Sequence, residues 1–249
     1  MANRKEYKNI AVIFAGGTGT RMNSKGSPKQ FLEVNGKPII IHTLEIFEDC
    51  QEIDAIVIAC IEKSIGYLEK LLKKYNIFKV KKIVPGGTTG QLSIYHGLCA
   101  AGEVAGDSLD SAVVLIHDGV RPLISEQVIR DNIESVHRHG SAITSSVSKE
   151  TVVLIDSNGF VDSATNRNET RIAKAPQSFY LKEVLEVETH AIEEGINNVI
   201  DTCTLMHMYG KHMHIVEGPS ENIKVTTPDD FYTLRALLQA KENSQIYGL

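Results

Sequence analysis

Several features that assign a chain to a particular class of protein are missing from this sequence. No apolar run approaches the roughly 18 residues that a membrane-spanning helix needs. Residues 1–8 lack the apolar core of a signal peptide. Lysine and arginine (26) are outnumbered by aspartate and glutamate (31), which gives a formal net charge of −5. Without a basic excess, neither nucleic acid nor an anionic membrane is an expected partner, and we predict a cytoplasmic protein.

Cysteine is scarce, and its spacing contains no metal-binding or redox motif. No C-x-x-C pair occurs among Cys50, Cys60, Cys99 and Cys203. We therefore expect reduced and mostly buried thiols. The histidines within residues 207–214 alternate with apolar residues and match no zinc-site spacing. The sequence thus predicts no metal ion held by the protein's own side chains.

Apolar and amphipathic segments alternate along the chain, which is the rhythm of an α/β fold. Buried strands are predicted at residues 10–14, 53–60, 80–84 and 112–116, and helices at 39–47, 63–75 and 126–137. This alternation favours a Rossmann-like, doubly wound, mostly parallel sheet. No repeat, low-complexity tract or linker interrupts the 249 residues, so we predict one domain over residues 1–249.

One segment departs from this rhythm. Residues 152–155 and 160–161 are apolar and flank the turn Asp156-Ser157-Asn158-Gly159, which indicates a β-hairpin. A hairpin that interrupts alternating strands and helices is expected to lie outside the main sheet. We predict a protruding arm at about residues 149–171 and expect it to join two copies of the chain into a homodimer.

The most informative stretch, Ala15-Gly16-Gly17-Thr18-Gly19-Thr20-Arg21-Met22, follows the first buried strand and leads to Pro28-Lys29-Gln30. Glycines allow a ligand to approach the backbone closely, and successive exposed N–H groups form an anion-binding concavity. Arg21 adds a planar cationic fork suited to phosphate oxygens, and Lys29 adds a point charge. The stretch therefore predicts a phosphate site.

Three known phosphate-binding motifs can be compared with this loop. A dinucleotide fingerprint is weakened because Met22 occupies its third glycine position. A P-loop is excluded because Gly36-Lys37 is followed by Pro38. A glycine-rich turn followed by arginine and lysine resembles the nucleotide loop of sugar-phosphate nucleotidyltransferases. An ordinary strand-to-helix turn with surface cations is the remaining interpretation.

A second glycine-rich turn, residues 85–92, precedes another predicted helix. Thr88 and Ser93 offer hydroxyl groups there, and these either bind a ligand or cap the helix. Ligands of open α/β sheets lie beyond the carboxyl ends of the strands. We therefore expect both glycine-rich turns to face one crevice.

Charged residues also follow the apolar strand at 112–116. Asp118 and Arg121 stand at its carboxyl end, where they either serve a site or form a local ion pair that stabilises the turn. Lys224 lies within Ile223-Lys224-Val225, which is typical of a strand end. At such a position the lysine is either solvated or directed inward to meet a phosphate.

Together these segments resemble the IspD/TarI-type cytidylyltransferases, and the resemblance covers nearly the whole chain. Five ordered motifs carry it: AGGTGTR at 15–21, PKQ at 28–30, HDGVRP at 117–122, APQ at 175–177 and NIKVT at 222–226. It implies the fold of nucleotide-diphospho-sugar transferases. It also implies transfer of CMP from CTP, with Mg²⁺ bound mainly through the CTP phosphates, to an alditol phosphate.

The resemblance further implies roles for individual residues. CTP would be bound by Ala15, Gly16, Gly17, Gly19, Gly87, Thr88 and Ser93. Catalysis would fall to Arg21, Lys29, Arg167 and Lys224. The alditol phosphate would be held by Asp118, Arg121 and Lys224, together with Thr151 and Arg167 from the arm of the partner subunit. On the residues alone, the preferred interpretation of Thr151 is a β-branched strand residue.

Three positions bear on the acceptor substrate. Gly90 stands where methylerythritol-type enzymes often carry arginine, and Ile200 precedes Asp201 where threonine is common. Gly119-Val120 is similar to the ribitol-type sequence. These positions favour D-ribitol 5-phosphate, with CDP-ribitol and pyrophosphate as products and teichoic acid or capsule synthesis as the setting. The alternatives are 2-C-methyl-D-erythritol 4-phosphate, in isoprenoid synthesis, and a CTP-binding module without turnover.

Overall fold

The computed structural model describes residues 8–17 and 28–247, with side chains described as far as residue 243. Its strands are β1 (Asn9–Ala15), β2 (Glu33–Val34), β3 (Lys37–Pro38), β4 (Ala55–Cys60), β5 (Val80–Pro85), β6 (Val113–Asp118), β7 (Ser141–Val147), β8 (Val153–Ile155), β9 (Val161–Ala164), β10 (Arg171–Tyr180) and β11 (Ile215–Glu217). Its helices are α1 (Ile39–Asp49), α2 (Ile65–Lys74), α3 (Gly90–Ala105), α4 (Glu126–His139), α5 (Leu181–Glu193), α6 (Thr202–Met208) and α7 (Pro228–Tyr247). Within the described ranges, no helix combines the length and apolarity needed to cross a bilayer.

Seven strands form the main sheet in the order β11-β7-β10-β6-β1-β4-β5. The pairs β1–β4, β1–β6, β4–β5 and β7–β11 are parallel, whereas β10 runs antiparallel to both of its neighbours. The sheet is therefore mostly parallel, and the predicted fold class is confirmed. The strands β4 and β6 are buried along their whole length, as expected for central strands covered on both faces.

Alternation along β1 divides the apolar core between the two faces of the sheet. Ala11 and Ile13 pack in one cluster with apolar side chains of α1, α2 and α4. Ile10 and Val12 pack in a second cluster with side chains of α3, α5 and α6. Because successive strand residues point to opposite faces, a continuous apolar strand supplies both clusters. Helices on both faces complete the three-layer architecture.

The carboxyl ends of the central strands meet at one edge of the sheet. In the parallel ladders, Ala15 pairs with Cys60, and Phe14 pairs with Asp118. The strand β1 has β4 on one side and β6 on the other, so the strand order reverses at β1. Ligands of open α/β sheets bind at this kind of switch point. The turns that follow β1, β5 and β6 are consequently the first place to look for a site.

The predicted hairpin arm is also present. The strands β8 and β9 form a separate two-stranded antiparallel sheet. Its turn is held by Asp156, whose Oδ1 accepts hydrogen bonds from the backbone N–H groups of Asn158 and Phe160 at 2.9 Å each. Gly159 has a φ of +85°, which explains the glycine at that position.

Candidate active site

A cavity of about 460 Å³ opens at the carboxyl edge of the sheet. Its walls come from the turns after β1, β5 and β6, the segment before β2, and the loop before α7. The lining residues are Phe14, Ala15, Gly16, Gly17, Lys29, Gln30, Gly87, Thr88, Thr89, Gly90, Ser93, Asp118, Val120 and Lys224. Both glycine-rich turns thus face one crevice, as the sequence predicts.

Ser93 braces the second glycine-rich turn and lies close to Gly16 of the first. Its Oγ accepts a hydrogen bond from the Gly87 N–H at 3.0 Å and donates one to the Thr89 carbonyl at 2.9 Å. A Cβ on Gly16 would lie 2.8 Å from this Oγ, and a Cβ on Gly87 would lie 2.3 Å from the Leu92 Cβ. Larger residues are therefore disfavoured at positions 16 and 87.

The helix cap is a different residue from the ones named in the sequence analysis. Thr89 is the N-cap of α3, because its Oγ1 accepts a hydrogen bond from the Leu92 N–H at 3.1 Å. Thr88 lines the cavity, and Ser93 lies inside the helix, where it both lines the cavity and braces the turn. Of the two interpretations left open for Thr88 and Ser93, capping is therefore wrong.

Lys29 and Gln30 form one wall of the cavity from a short 3₁₀ turn. A Cβ placed on Gly17 would lie 3.6 Å from the Lys29 Cε, so the lysine chain runs alongside the glycine loop. Gln30 is almost completely buried, and its Nε2 donates a 2.6 Å hydrogen bond to the Ala15 carbonyl at the end of β1. Sequence reasoning assigned no role to Gln30, although its place in the PKQ motif was the available signal.

Asp118, which also lines the cavity, holds two cations. Its carboxylate lies 2.7 Å from the Arg121 Nε and 2.6 Å from the Lys224 Nζ. Burial by itself would raise the pKa of the Asp118 carboxyl, but the charges and hydrogen bonds of Lys224 and Arg121 outweigh it and lower the pKa to about 2. The local Asp118–Arg121 pair does form, and Lys224 joins it from a distant part of the chain. Arg121 lies behind Asp118 and does not itself line the cavity.

The strand interpretation of residues 223–225 is wrong, because they form a loop between β11 and α7. Val225 is buried with Val120 and Leu234 in a third apolar cluster, and the partly buried Ile223 packs against it, so both side chains are covered without a strand partner. The Lys224 side chain is directed to the cavity, and its Nζ lies 5.6 Å from the centroid of the Phe14 ring. Lys224 is therefore directed inward, as one of the two interpretations predicts, but it is held there by a loop and not by the end of a strand.

His117 supports the turn that carries Asp118. The imidazole is fully buried, and its Nε2 lies 3.1 Å from the Arg121 carbonyl. Burial lowers the pKa of His117 to about 4, so the ring is neutral at neutral pH. His117 also packs against the ring of Phe47, at a centroid distance of 5.1 Å. The residue is thus part of the scaffold behind the site.

A buried amide connects the start of α3 to the loop before α6. The Gln91 Nε2 donates to the Glu188 Oε2 at 3.1 Å and to the Ile196 carbonyl at 3.0 Å, and its Oε1 accepts from the Val199 N–H at 2.8 Å. The Thr89 Oγ1 donates to the Asn197 carbonyl at 2.5 Å. These contacts fix the second glycine-rich turn from behind. No periodicity in the sequence indicates them.

Substitution of Glu188 by glutamine is expected to remove the fall in the free energy of unfolding that this carboxyl causes as pH rises towards 7. Burial raises the pKa of Glu188 to about 7, despite the hydrogen bond from Gln91. Its unfolded value is about 4.3, so the native state binds more protons between these values and the free energy of unfolding falls as pH rises towards 7. The full effect is on the order of 3 kcal/mol. Urea denaturation at pH 5 and pH 8 measures it.

The matched control for this experiment is Glu186→Gln on the same helix, where the side chain is exposed. We expect it to shift the free energy of unfolding by less than about 0.5 kcal/mol at either pH. If Glu188→Gln and the unmodified protein lose the same stability between pH 5 and pH 8, the buried carboxyl is not the titrating group.

The arm brings together two residues that the sequence separates. The Arg167 Nη2 donates a 3.3 Å hydrogen bond to the Thr151 Oγ1, and both side chains are exposed. Neither residue lines the cavity of its own chain. Their expected role in the site of a partner subunit stays a prediction. Gly19 and Arg21 fall within residues 18–27, outside the described part of the chain.

Comparison with known proteins gives consistent results. The sequence model of the IspD family, described as 2-C-methyl-D-erythritol 4-phosphate cytidylyltransferase, matches residues 9–240. A ribitol-5-phosphate cytidylyltransferase of Streptococcus agalactiae serotype V is 56% identical over 241 residues, which cover 97% of this chain and 99% of the relative. A 2-C-methyl-D-erythritol 4-phosphate cytidylyltransferase of Clostridium botulinum (strain 657 / Type Ba4) is 38% identical over 232 residues, which cover 93% and 98%.

A solved structure agrees with these sequence matches. The crystal structure of a 4-diphosphocytidyl-2C-methyl-D-erythritol synthase from Anaerococcus prevotii superposes with a TM-score of 0.81 at 28% identity, covering 94% of this chain and 96% of that one. The fold and the matches define one class, the cytidylyltransferases among the nucleotidyltransferases. The chain belongs to the IspD family of these enzymes. The resemblance carried by the five motifs is thereby confirmed.

Proposed function

We propose that this protein transfers CMP from CTP to D-ribitol 5-phosphate, releasing CDP-ribitol and pyrophosphate. The observation that carries the choice of acceptor is the 56% identity, over nearly the whole length of both chains, to a ribitol-5-phosphate cytidylyltransferase. The relative that acts on 2-C-methyl-D-erythritol 4-phosphate is considerably more distant, at 38%. That substrate is the second candidate, because the family model carries its name.

The arrangement of charges in the cavity suits a reaction between two anions. Lys29 and Lys224 both line the cavity, together with glycines of the two glycine-rich turns. The group formed by Asp118, Arg121 and Lys224 retains one net positive charge after the carboxylate is balanced. Preorganised cations and positioning supply most of the catalysis in phosphoryl and nucleotidyl transfer.

The reaction that we propose is a direct transfer of CMP from CTP to the alditol phosphate. A phosphate oxygen of the alditol phosphate attacks the α-phosphorus of CTP and forms a new P–O bond. The bond from the α-phosphorus to the oxygen bridging the β-phosphorus breaks, and pyrophosphate leaves with the electron pair. A phosphate monoester has a second pKa near 6, so the nucleophile is already an anion at neutral pH and needs no general base. The neutral, buried state of His117 fits this scheme.

Mg²⁺ enters this scheme as part of the MgCTP substrate. Among the residues that the structure describes, no three histidine, cysteine, aspartate or glutamate side chains are grouped so as to hold a metal ion. Asp118, which lines the cavity, already binds two cations with its carboxylate. The described residues therefore do not fit a metal held by the protein, and the triphosphate is the better ligand.

The arm is proposed to bind a second copy of this chain. Its apolar side chains at 153–155 and 160–161 are between 43% and 73% exposed. A contiguous apolar patch that faces solvent often marks an interaction surface. A two-stranded hairpin is marginally stable by itself and gains from packing against another surface. In a homodimer the arm would carry Thr151 and Arg167 towards the partner's cavity, where the guanidinium would add positive charge.

A mixing experiment tests this exchange of residues. Lys29→Ala disables the cavity of its own chain, and Arg167→Ala disables the residue given to the partner. Each homodimer is expected to be nearly inactive, whereas each heterodimer holds one intact site. Random co-assembly of differently tagged variants should restore about one quarter of the sites of the unmodified enzyme. Activity that does not exceed the sum of the two separate variants would place Arg167 outside the partner's site.

The acceptor is tested by measuring pyrophosphate release with CTP and Mg²⁺, offering ribitol 5-phosphate and 2-C-methyl-D-erythritol 4-phosphate in parallel. We expect a higher kcat/KM with ribitol 5-phosphate. A higher value with the methylerythritol substrate would reject the proposed acceptor and support the second candidate. Binding of CTP without release of pyrophosphate in the presence of either acceptor would instead favour a nucleotide-binding module without turnover.

A further inference from the structure

The antiparallel strand β10 contains an irregularity next to the site. In its ladder with β7, Ala173 pairs with Ser145, and regular pairing resumes only at Gln177 with Ile143. Residues 174–176 are therefore out of register with both neighbouring strands. Their polar groups are consequently available for contacts outside the sheet.

These groups bind the loop that precedes Lys224. The Lys174 Nζ donates a 2.8 Å hydrogen bond to the Ser220 carbonyl and lies 3.4 Å from the Pro219 carbonyl. The Ala175 carbonyl accepts a 2.7 Å hydrogen bond from the Nδ2 of Asn222, which is fully buried. The irregular part of β10 thus anchors the loop at two points, one charged and one neutral.

The same loop leads directly to the cations of the cavity. The Asn222 carbonyl accepts a 2.9 Å hydrogen bond from the Arg121 Nη1, and Lys224 follows two residues later. Beyond it, the Val225 N–H donates to the Val120 carbonyl at 3.0 Å. A displacement of residues 219–222 would therefore move both cations that Asp118 holds.

We propose that Lys174 is a positioning residue for the acceptor half of the reaction. Together with the Asn222 side chain, it fixes residues 219–222 so that Arg121 and Lys224 stay on either side of Asp118. The inference rests on the proposed function, since it assigns the group of Asp118 and its two cations to the alditol phosphate. Lys174 acts through this loop and needs no contact with substrate.

The surroundings of Lys174 agree with an anchoring role. The side chain is half-buried, and burial lowers the pKa of its ammonium group, with the nearby charge of Arg121 acting in the same direction. Glu221 offsets part of this effect. A lysine placed beside other cations gains little from its charge alone, so the carbonyl bonds account for its position.

Replacement of Lys174 by methionine tests the proposal because it keeps the length and apolar body of the side chain. We expect KM for the alditol phosphate to rise about tenfold to a hundredfold, the range set by loss of one charged hydrogen bond. KM for CTP should change less than twofold, and Lys174→Arg should restore most of the loss. The matched control is Lys79→Met, which removes a similar half-buried bond from a lysine Nζ to the Cys50 carbonyl, 2.6 Å long and remote from the cavity.

Asn222→Ala separates anchoring from simple charge, because it removes the neutral anchor of the same loop. We expect the same rise in KM for the alditol phosphate, and a double variant whose effect falls short of the product of the two. A rise with Lys174→Met that Asn222→Ala does not reproduce would show that Lys174 acts by its charge and would overturn the proposal. If Asn222→Ala does not fold, salt decides: an effect of Lys174→Met that persists at 0.5 M KCl supports anchoring, and one that vanishes rejects it.

Hydrogen exchange of the backbone amides of residues 220–225 distinguishes this inference from the proposed function. Faster exchange in Lys174→Met than in the unmodified protein is expected whether or not the enzyme accepts ribitol 5-phosphate. Unchanged exchange would overturn the anchoring role. Absence of turnover in the unmodified protein would reject the proposed function and leave the anchor to be judged by exchange alone.

Discussion

Replacement of Lys29 by alanine is expected to lower kcat by about 100- to 1,000-fold, the usual loss when one preorganised group that stabilises a transition state is removed. Lys29 lines the cavity beside the glycine loop, where the proposed function puts the phosphates of CTP. The side chain does not belong to any of the apolar clusters of the core. The melting temperature is therefore expected to change little.

Steady-state pyrophosphate release and a thermal melt measure the two quantities on the same preparation. Lys37→Ala is the matched control, because Lys37 is paired with Glu45 at 2.6 Å on a nearby segment that does not line the cavity. A Lys29→Ala variant that retains near-native kcat would remove Lys29 from the catalytic machinery. From the sequence, the same loss is expected for Arg21→Ala.

Replacement of Asp118 by asparagine is expected to lower the free energy of unfolding by roughly 3–5 kcal/mol at pH 7, the usual cost of leaving buried charges without their partner. The carboxylate side chain is only 6% exposed and is in contact with both Arg121 and Lys224. Asparagine preserves the shape but removes the negative charge. The two cations would then repel each other, and Arg121, whose side chain is 13% exposed, would lose its carboxylate partner.

The pH dependence provides a second measure of the same carboxylate. The pKa of Asp118 is lowered to about 2, against about 3.9 in an unfolded chain. Its contribution to stability is therefore complete above pH 4 and is lost as pH falls towards 2. Urea denaturation of Asp118→Asn should lack this part of the acid destabilisation.

Asp110→Asn is the control for the Asp118 experiment. Asp110 pairs with Lys182 at 2.8 Å, but its side chain is 78% exposed. Solvent screens such a pair, so its loss is expected to cost less than about 1 kcal/mol. Equal stability losses in the two variants would show that Asp118 and its two cations behave as surface charges.

The two variants are thus expected to affect different quantities: Lys29→Ala lowers kcat, whereas Asp118→Asn lowers the free energy of unfolding. Lys29 stands in a short 3₁₀ turn, and removing its charge is expected to leave the apolar core intact. Asp118 acts at the end of a fully buried strand, where its charge is part of the packing. The pair of experiments therefore separates a group that serves the reaction from one that first of all holds other groups in place.

The local chemistry of the sequence determined the fold class and most of the site. Continuous apolar runs such as residues 112–116, alternating with amphipathic helical segments, suffice to predict a mostly parallel sheet. The glycines at 16, 17 and 87 stand one or two residues beyond the ends of strands, and Asp118 is the last residue of its strand. Because the carboxyl ends of parallel strands meet at one edge, their convergence could be predicted without coordinates.

Tertiary structure alone decided how these residues are connected. The contacts from Lys224 to Asp118, from Gln30 to Ala15 and from Gln91 to Glu188 each join segments that local periodicity does not relate. The alternating apolar residues at 223–225 are typical of a strand end, but they form a loop whose apolar side chains pack against Val120 and Leu234. Period and propensity describe what a segment does along its own axis. Which partner a buried polar group finds depends on how the elements pack, and that is set by the whole chain.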